Sequence, residues 1–226
     1  MQQQYEIEIK SLLGSKENAD ALIAKLQAKN GNSLVPKKSK QLNHYFTYTD
    51  LWKFHAALLP HISEDKKEIF SKIVKEGKNF SIRTREINET KVILVIKASL
   101  DADSSSNGIS RMEFECEMPL SLGELDKLLL DAGLEYQAKW SREREEYDTK
   151  DAIICIDKNA GYGYLAEFEK VVDDKAKTND AKEELFTLMD DFGVEELKQD
   201  RLERMFDFYN KHWQDYYGTD KTFIIE

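Results

Sequence analysis

The sequence predicts an α+β fold, eight antiparallel strands most economically closed into a barrel with helices packed on its outside. Three observations predict it. Short segments alternate between apolar and charged positions, which is the period of a strand. Between them lie segments with apolar residues three and four apart, the stripe of a helix that must cover a surface. The strand segments carry charge on one face only, so the helices have the opposite face to cover.

The elements follow in order. "YEIEIK", residues 5–10, places Tyr5, Ile7 and Ile9 on one face and Glu6, Glu8 and Lys10 on the other. "SKENADALIAKLQAKNG" is a helix: Ser15 caps it, Ala19, Leu22, Ile23 and Leu26 form its stripe, and Gly31 ends it. "KQLNHYFTYT" is the second strand. Residues 51–79 read as two helical pieces broken at Pro60, with Ile69, Phe70, Ile73 and Val74 on one face of the second. "NFSIRTREI", "KVILVIKAS" and "ISRMEFECEM" are three strands in series, the last two joined by the polar loop "LDADSSSNG". "SLGELDKLLLDAGLEY" is a helix, followed by the strands "KWSREREEY", "AIICIDKN" and "GYLAEFEKVV". Two helical segments close the chain, about 178–192 and 200–216, and "GTDKTFIIE" after them has no clear signal. No linker composition interrupts residues 1–226, so a single domain is expected, its strand core over about 5–172.

The charged faces can be read strand by strand. Arg83 and Arg85 share a face, and Lys97 shares one with Ile93 and Val95. Arg111, Glu113, Glu115 and Glu117 oppose Met112, Phe114, Cys116 and Met118. Arg142, Arg144 and Glu146 align, Asp157 ends its strand, and Glu167 and Glu169 oppose Ala166 and Phe168. Two architectures satisfy this alternation. In one, a closed barrel turns the charges into its lumen and leaves no exposed edge. In the other, an open sheet turns them to water. A charged lumen has to compensate itself. Clustered carboxylates call for a cation, and an all-oxygen set suits Mg²⁺ or Mn²⁺. Facing arginines and lysines call for an anion, and a triphosphate bridged to the metal meets both needs.

Composition narrows the function classes. A formal net charge of −10 disfavours a general nucleic-acid or membrane-surface binder. It leaves room for a local basic pocket. The two cysteines, Cys116 and Cys155, sit in strand-like runs and read as buried thiols of a reducing compartment. The first residues have neither a basic nor an apolar leader region, and no run approaches the roughly 20 apolar residues of a membrane span, so a cytoplasmic location is expected. His44, His55, His61 and His212 are scattered, and no Ser-His-Asp order, P-loop or CxxC occurs.

These motifs together resemble the CYTH family, the triphosphate tunnel metalloenzymes, named for class IV adenylate cyclases and thiamine triphosphatase. The family's Glu-x-Glu-x-Lys strand matches Glu6, Glu8 and Lys10. Its Gln-x-Asp-x-Tyr-Phe-Asp-Thr strand matches "QLNHYFTY" at Gln41, Tyr45 and Phe46, with Asn43 and Thr47 in place of the aspartates. Its Arg-x-Arg matches Arg83 and Arg85, its strand ending in Lys matches Lys97, and its Arg-x-Glu-x-Glu matches Arg111, Glu113 and Glu115. Its Lys-x-Arg-x-x-Tyr matches "REREEY" with Arg142 in the lysine place, then Arg144 and Tyr147. Its Asp, Gly and Glu-x-Glu match Asp157, Gly163, Glu167 and Glu169. The resemblance spans residues 5 to about 172. One such motif is weak; seven in the family's order are specific. Residues 51–79 are a departure, since the family connects these strands briefly. With Trp52, Phe54, His55 and Lys66, Lys67, Lys72, Lys75 and Lys78, the insertion reads as a surface helix pair or as a lid.

The resemblance implies a closed eight-stranded barrel and metal-dependent chemistry on a triphosphate-containing small molecule, in a monomer or homodimer. It implies that Glu6, Glu8, Glu167 and Glu169 hold Mg²⁺ or Mn²⁺, with Glu115 and Asp157 as further carboxylates. Lys10, Arg83, Arg85, Lys97, Arg111, Arg142 and Arg144 would grip phosphate, and Lys10, Glu115 and Asp157 are the catalytic candidates. Glu113 and Glu117 would balance Arg111, while Arg201 and Arg204 read as a solvated helix face. Triphosphate hydrolysis is the expected reaction. Cyclization of ATP to cAMP and pyrophosphate is the enzymatic alternative, and a non-catalytic polyphosphate-binding module is the other.

Overall fold

Alternation decides which side of each strand is covered. This is visible in the computed structural model of the chain, which describes residues 5–31, 34–99 and 111–226. The polar loop "LDADSSSNG" and the start of the fifth strand lie outside the described residues. In chain order the elements are β1 (Tyr5–Gly14), α1 (Lys16–Asn30), β2 (Lys37–Thr47), α2 (Leu51–Leu58), α3 (Lys67–Glu76), β3 (Lys78–Ile87), β4 (Lys91–Ser99), β5 (Arg111–Glu117), α4 (Leu122–Asp131), β6 (Glu135–Asp148), β7 (Ile153–Asn159), β8 (Gly163–Val172), α5 (Thr178–Phe192) and α6 (Gln199–Tyr216).

The strands form one eight-stranded sheet in the order β1-β8-β7-β6-β2-β3-β4-β5, antiparallel at each described pairing. The ladder ends at β1 and β5, with no pairing between them among the described residues. The barrel closure expected from the sequence is therefore absent from the ladder. Alternation reports faces and says nothing of which edges meet. No helix among the described residues is long and apolar enough to cross a membrane.

The described residues group into two compact units. The first holds residues 5–39 and 141–226, the second 40–99 and 111–140. In the first, Ile7 and Ile9 of β1, Ile154 and Ile156 of β7 and Phe168 of β8 form a core with Leu22 and Leu26 of α1 and Leu185, Met189 and Phe192 of α5. Ser15 accepts from the Asn18 amide at 3.3 Å and Gly31 ends α1. The free edge of β1 is partly occupied: the Leu197 amide donates to the Lys10 carbonyl at 2.7 Å. In the second unit, Phe46, Ile82, Leu94, Ile96 and Phe114 pack beneath Phe54, Leu58, Phe70, Ile73, Leu125 and Leu129. Pro60 falls in a 3-10 turn between α2 and α3, at the expected break. Ser121 and Glu124 form a reciprocal capping box that starts α4.

The segment after α6 has a definite place. Phe223 donates its amide to the Gly161 carbonyl at 2.8 Å, and Gly161 donates to the Lys221 carbonyl at 3.0 Å. The Phe223 ring lies against Tyr162, Phe208 and Tyr216. Gly161 has φ of +82°, and a Cβ there would come within 2.8 Å of the Tyr209 ring. Only glycine fits both the conformation and the space. The helical character of α6 reads from the sequence, but its contact with Phe223, seven residues beyond Tyr216, does not.

Candidate functional site

In the first unit the strand register assembles one charged face. Glu8 pairs with Glu169 and Lys10 with Glu167 across β1–β8. Glu167 in turn pairs with Cys155, and Asp157 with Arg144. Cross-strand partners share a face, so Glu6, Glu8, Lys10, Arg142, Arg144, Asp157, Glu167 and Glu169 all lie on the side away from the helices. Cys155 is buried as expected, but it lies on this charged face, whereas Cys116 packs in the apolar core.

The face divides into two groups. Carboxylate oxygens of Glu6, Glu8 and Glu169 lie within 4.8 Å of one another. Glu167 and Asp157 instead engage the cations. Lys10 Nζ donates to Glu167 Oε1 at 2.8 Å and also pairs with Glu8. Arg144 forks onto Asp157, with Nε at 2.7 Å and Nη2 at 2.6 Å, and reaches Glu167 as well. Arg142 Nη1 donates to Asp157 Oδ2 at 2.9 Å. Asp157 is fully buried and Glu167 nearly so.

Electrostatics follow this division. Burial alone would raise the Glu167 pKa, but Lys10, Arg144 and Arg142 outweigh it and hold the carboxyl well below its usual range. Burial, then the carboxylates of Glu167 and Glu6, push Glu169 up to about 7. Burial opposes the Arg144 charge, and Glu167 and Asp157 more than offset it. Full charges at the spacing of the Glu6–Glu8–Glu169 group repel by on the order of 3 kcal/mol per pair at an effective dielectric near 20. A proton on Glu169 relieves that repulsion, and a divalent cation would relieve more of it. All the donors are oxygens, and one ligand each from β1, β1 and β8 suits a hard ion that keeps several waters. Mg²⁺ or Mn²⁺ fits this donor set.

The second unit carries a charged face of its own. Asn43 pairs with Arg85 and Tyr45 with Arg83 across β2–β3. Arg85 Nε donates to Asn43 Oδ1 at 2.9 Å, and its Nη1 lies 3.4 Å from Glu115 Oε1. Arg83 Nη1 donates to the Tyr45 hydroxyl at 2.7 Å. Arg83 Nε is buried and makes no hydrogen bond among the described residues, an unsatisfied donor on a guanidinium held by Tyr45. Lys97 pairs with Glu113 at 3.2 Å. Arg111 stands opposite Ser99 in the β4–β5 register.

Register thus separates residues that the alternation grouped. Glu167, expected among the metal ligands, and Asp157, expected as a further candidate, are bonded to Lys10, Arg142 and Arg144. Glu115 belongs to the second unit, with Arg85. Glu117 pairs with Lys91 at 3.3 Å. From the insertion, Lys66 donates to the Glu115 carbonyl at 2.7 Å, while Trp52 is exposed. Arg201 and Arg204 bond the carbonyls of Ile225 and Glu226, so that helix face holds the chain after α6. Sequence reasoning missed a buried polar group in the second unit, made of His44, Thr84, Asp126 and Tyr136. Its signal was a carboxylate inside the apolar stripe Leu122, Leu125 and Leu129.

The CYTH domain profile matches residues 73–202. Among solved structures, the PH1012 protein from Pyrococcus horikoshii OT3 is similar at a TM-score of 0.59 and 17% identity, over 86% of this chain and 92% of that one. The PH1819 protein of the same organism matches at 0.57 and 22%, over 85% and 92%. A Vibrio parahaemolyticus protein described as a "putative adenylate cyclase" matches at 0.58 and 15%, over 89% and 98%. At these identities the likeness is one of fold. No curated protein matches the chain. The profile match covers more than half of the residues and includes Arg83, Arg85, Lys97, Arg142, Arg144, Asp157, Glu167 and Glu169, and on that ground the chain belongs to the CYTH domain family.

Proposed function

We propose that this protein is a divalent-metal-dependent triphosphatase. The observation that carries the reading is the gathering of three carboxylates, Glu6, Glu8 and Glu169, on the same face of the first unit as the cations Lys10, Arg142 and Arg144. That pairing of functions is what phosphoanhydride hydrolysis needs, since phosphoryl transfer is mostly positioning and charge stabilisation. Glu6, Glu8 and Glu169 would hold Mg²⁺ or Mn²⁺, which would polarise a phosphoryl oxygen when bound. Lys10, Arg142 and Arg144 have their charges fixed by Glu167 and Asp157, so they are aimed before substrate arrives. Arg83, with its unsatisfied Nε, Arg85 and Lys97 are phosphate donors of the second unit, and Arg111 is a further candidate. Glu115 and Asp157 act through the arginines that they hold.

The test is to incubate the protein with Mn²⁺ or Mg²⁺ and tripolyphosphate, ATP or thiamine triphosphate, then separate the products. Orthophosphate release that a chelator abolishes is expected. Cyclic AMP and pyrophosphate from ATP would replace hydrolysis with cyclization. Metal-independent binding without turnover would leave a polyphosphate-binding module.

A further inference from the structure

Two pairs on the second unit's charged face, Asn43 with Arg85 and Tyr45 with Arg83, flank a third pair that points the other way. His44 stands directly opposite Thr84 in the β2–β3 register. Both side chains lie on the helix-covered side, His44 4% and Thr84 0% exposed. Both meet one carboxylate. Thr84 Oγ1 donates to Asp126 Oδ1 at 2.7 Å, and His44 Nδ1 lies 2.6 Å from Asp126 Oδ2. The Tyr136 hydroxyl of β6 donates to the same Oδ2 at 2.7 Å. Asp126 comes from α4 and is itself 4% exposed.

A carboxylate is a costly way to fill an apolar core. Leu125 and Leu129 beside it are fully buried, and an apolar side chain would pack there without desolvating a charge. What the carboxylate adds is direction. It fixes three groups at set angles, two of them across from each other on neighbouring strands. Each of those two lies between residues that form the phosphate-facing pairs. A strand residue cannot tilt without tilting its neighbours to the opposite face.

We propose that Asp126 is a positioning residue for the Arg83–Arg85 phosphate grip, acting through Thr84 and His44. This rests on the reading of Arg83 and Arg85 as phosphate donors. The clamp sets the pleat of β2 and β3 at one point. The guanidinium groups then stand in a fixed relation, with Arg83 Nε unsatisfied. No contact between Asp126 and substrate is involved.

The experiment uses Thr84→Val, which removes one hydrogen bond at nearly constant shape, and Asp126→Ala with Asp126→Asn as its conservative partner. Two readouts are taken on the full chain. One, with Mn²⁺ present, is the affinity for a methylene-bridged tripolyphosphate, which is not hydrolysed, by calorimetry. The other, in the absence of any ligand, is solvent exchange of the Arg83 and Arg85 Nε–H groups by NMR. We expect Thr84→Val and Asp126→Ala to weaken tripolyphosphate binding about tenfold, as for groups that orient a charged contact. We expect Asp126→Asn to recover part of it and the Nε–H exchange to quicken in the first two. A fall in melting temperature with unchanged affinity and exchange overturns the proposal, since a merely structural role gives that result. Should Asp126→Ala fail to fold, Thr84→Val decides alone. Arg83→Ala and Arg85→Ala run alongside. If both bind tripolyphosphate like the parent, the grip reading fails. If they lose affinity and Thr84→Val keeps it, only the positioning role fails.

Discussion

At the scale of single residues, the two carboxylates of "AEFEK" have different work. Glu169 lies with Glu6 and Glu8, while Glu167 is held by Lys10 and Arg144. Glu169→Gln should therefore weaken Mn²⁺ binding by tenfold or more, because one charged oxygen of three is lost. Glu167→Gln should leave Mn²⁺ affinity within a few-fold and lower turnover, since it frees Lys10 and Arg144 from their fixed positions. Calorimetry with Mn²⁺ separates the two, and equal losses of metal affinity would refute the division. Lys10 joins the groups, pairing with Glu8 on one side and Glu167 on the other. Lys10→Met should cut turnover on the order of a hundredfold, the scale of a lost transition-state charge contact. It should not weaken Mn²⁺ binding, because it removes a cation that competes for Glu8. Near-normal turnover in Lys10→Met would return "YEIEIK" to the status of a solvated strand.

At the scale of elements, strands and helices were legible because their periods are local. The charged face of β1 needs only the alternation of Glu6, Glu8 and Lys10. The bond partners were less legible, because register is a property of two strands. Lys10 meets Glu167 only because β1 pairs with β8 at that offset, and Cys155 shares the charged face only because it pairs with Glu167. Asp126 was unread for another reason: one carboxylate in an apolar stripe resembles a surface position until the helix is docked. Its burial would raise its pKa, but hydrogen bonds from His44, Thr84 and Tyr136 outweigh that and hold it below the usual carboxylate range. A depressed carboxyl pKa contributes stability that is present above the unfolded-state value and is lost as pH falls through the folded one. Melting temperature should then drop more steeply below about pH 4 in the parent than in Asp126→Asn, and parallel curves would deny the bonds that role. Two glycines test the element ends. Gly123 in α4 has open space and no positive φ, so Gly123→Ala should stabilise by about 0.5–1 kcal/mol. Gly161→Ala meets the Tyr209 and Phe223 rings and should destabilise by about 1–3 kcal/mol. Chemical denaturation of both variants checks the opposite signs.

At the scale of the whole molecule, a chain with net charge −10 is proposed to capture a polyanion. Long-range repulsion is weak in physiological salt, where the screening length is about 8 Å. Close to the surface the local groups decide, and there the carboxylates of Glu6, Glu8 and Glu169 oppose the attraction of phosphate to Lys10, Arg142 and Arg144. A bound divalent cation would offset that repulsion, so triphosphate and metal should bind as a pair. Ligand at about a hundred times its dissociation constant stabilises a folded chain by about 2.7 kcal/mol. For a chain of this size that corresponds to a rise in melting temperature of roughly 5–10 °C. We expect that rise with Mn²⁺ and a methylene-bridged triphosphate analogue together, chosen so that hydrolysis does not deplete the ligand. Mn²⁺ alone should give a smaller rise, and the analogue in chelator should give almost none. A full shift with the analogue in chelator would mean that the cations bind phosphate without help, and that the acidic group of the first unit plays no part in capture.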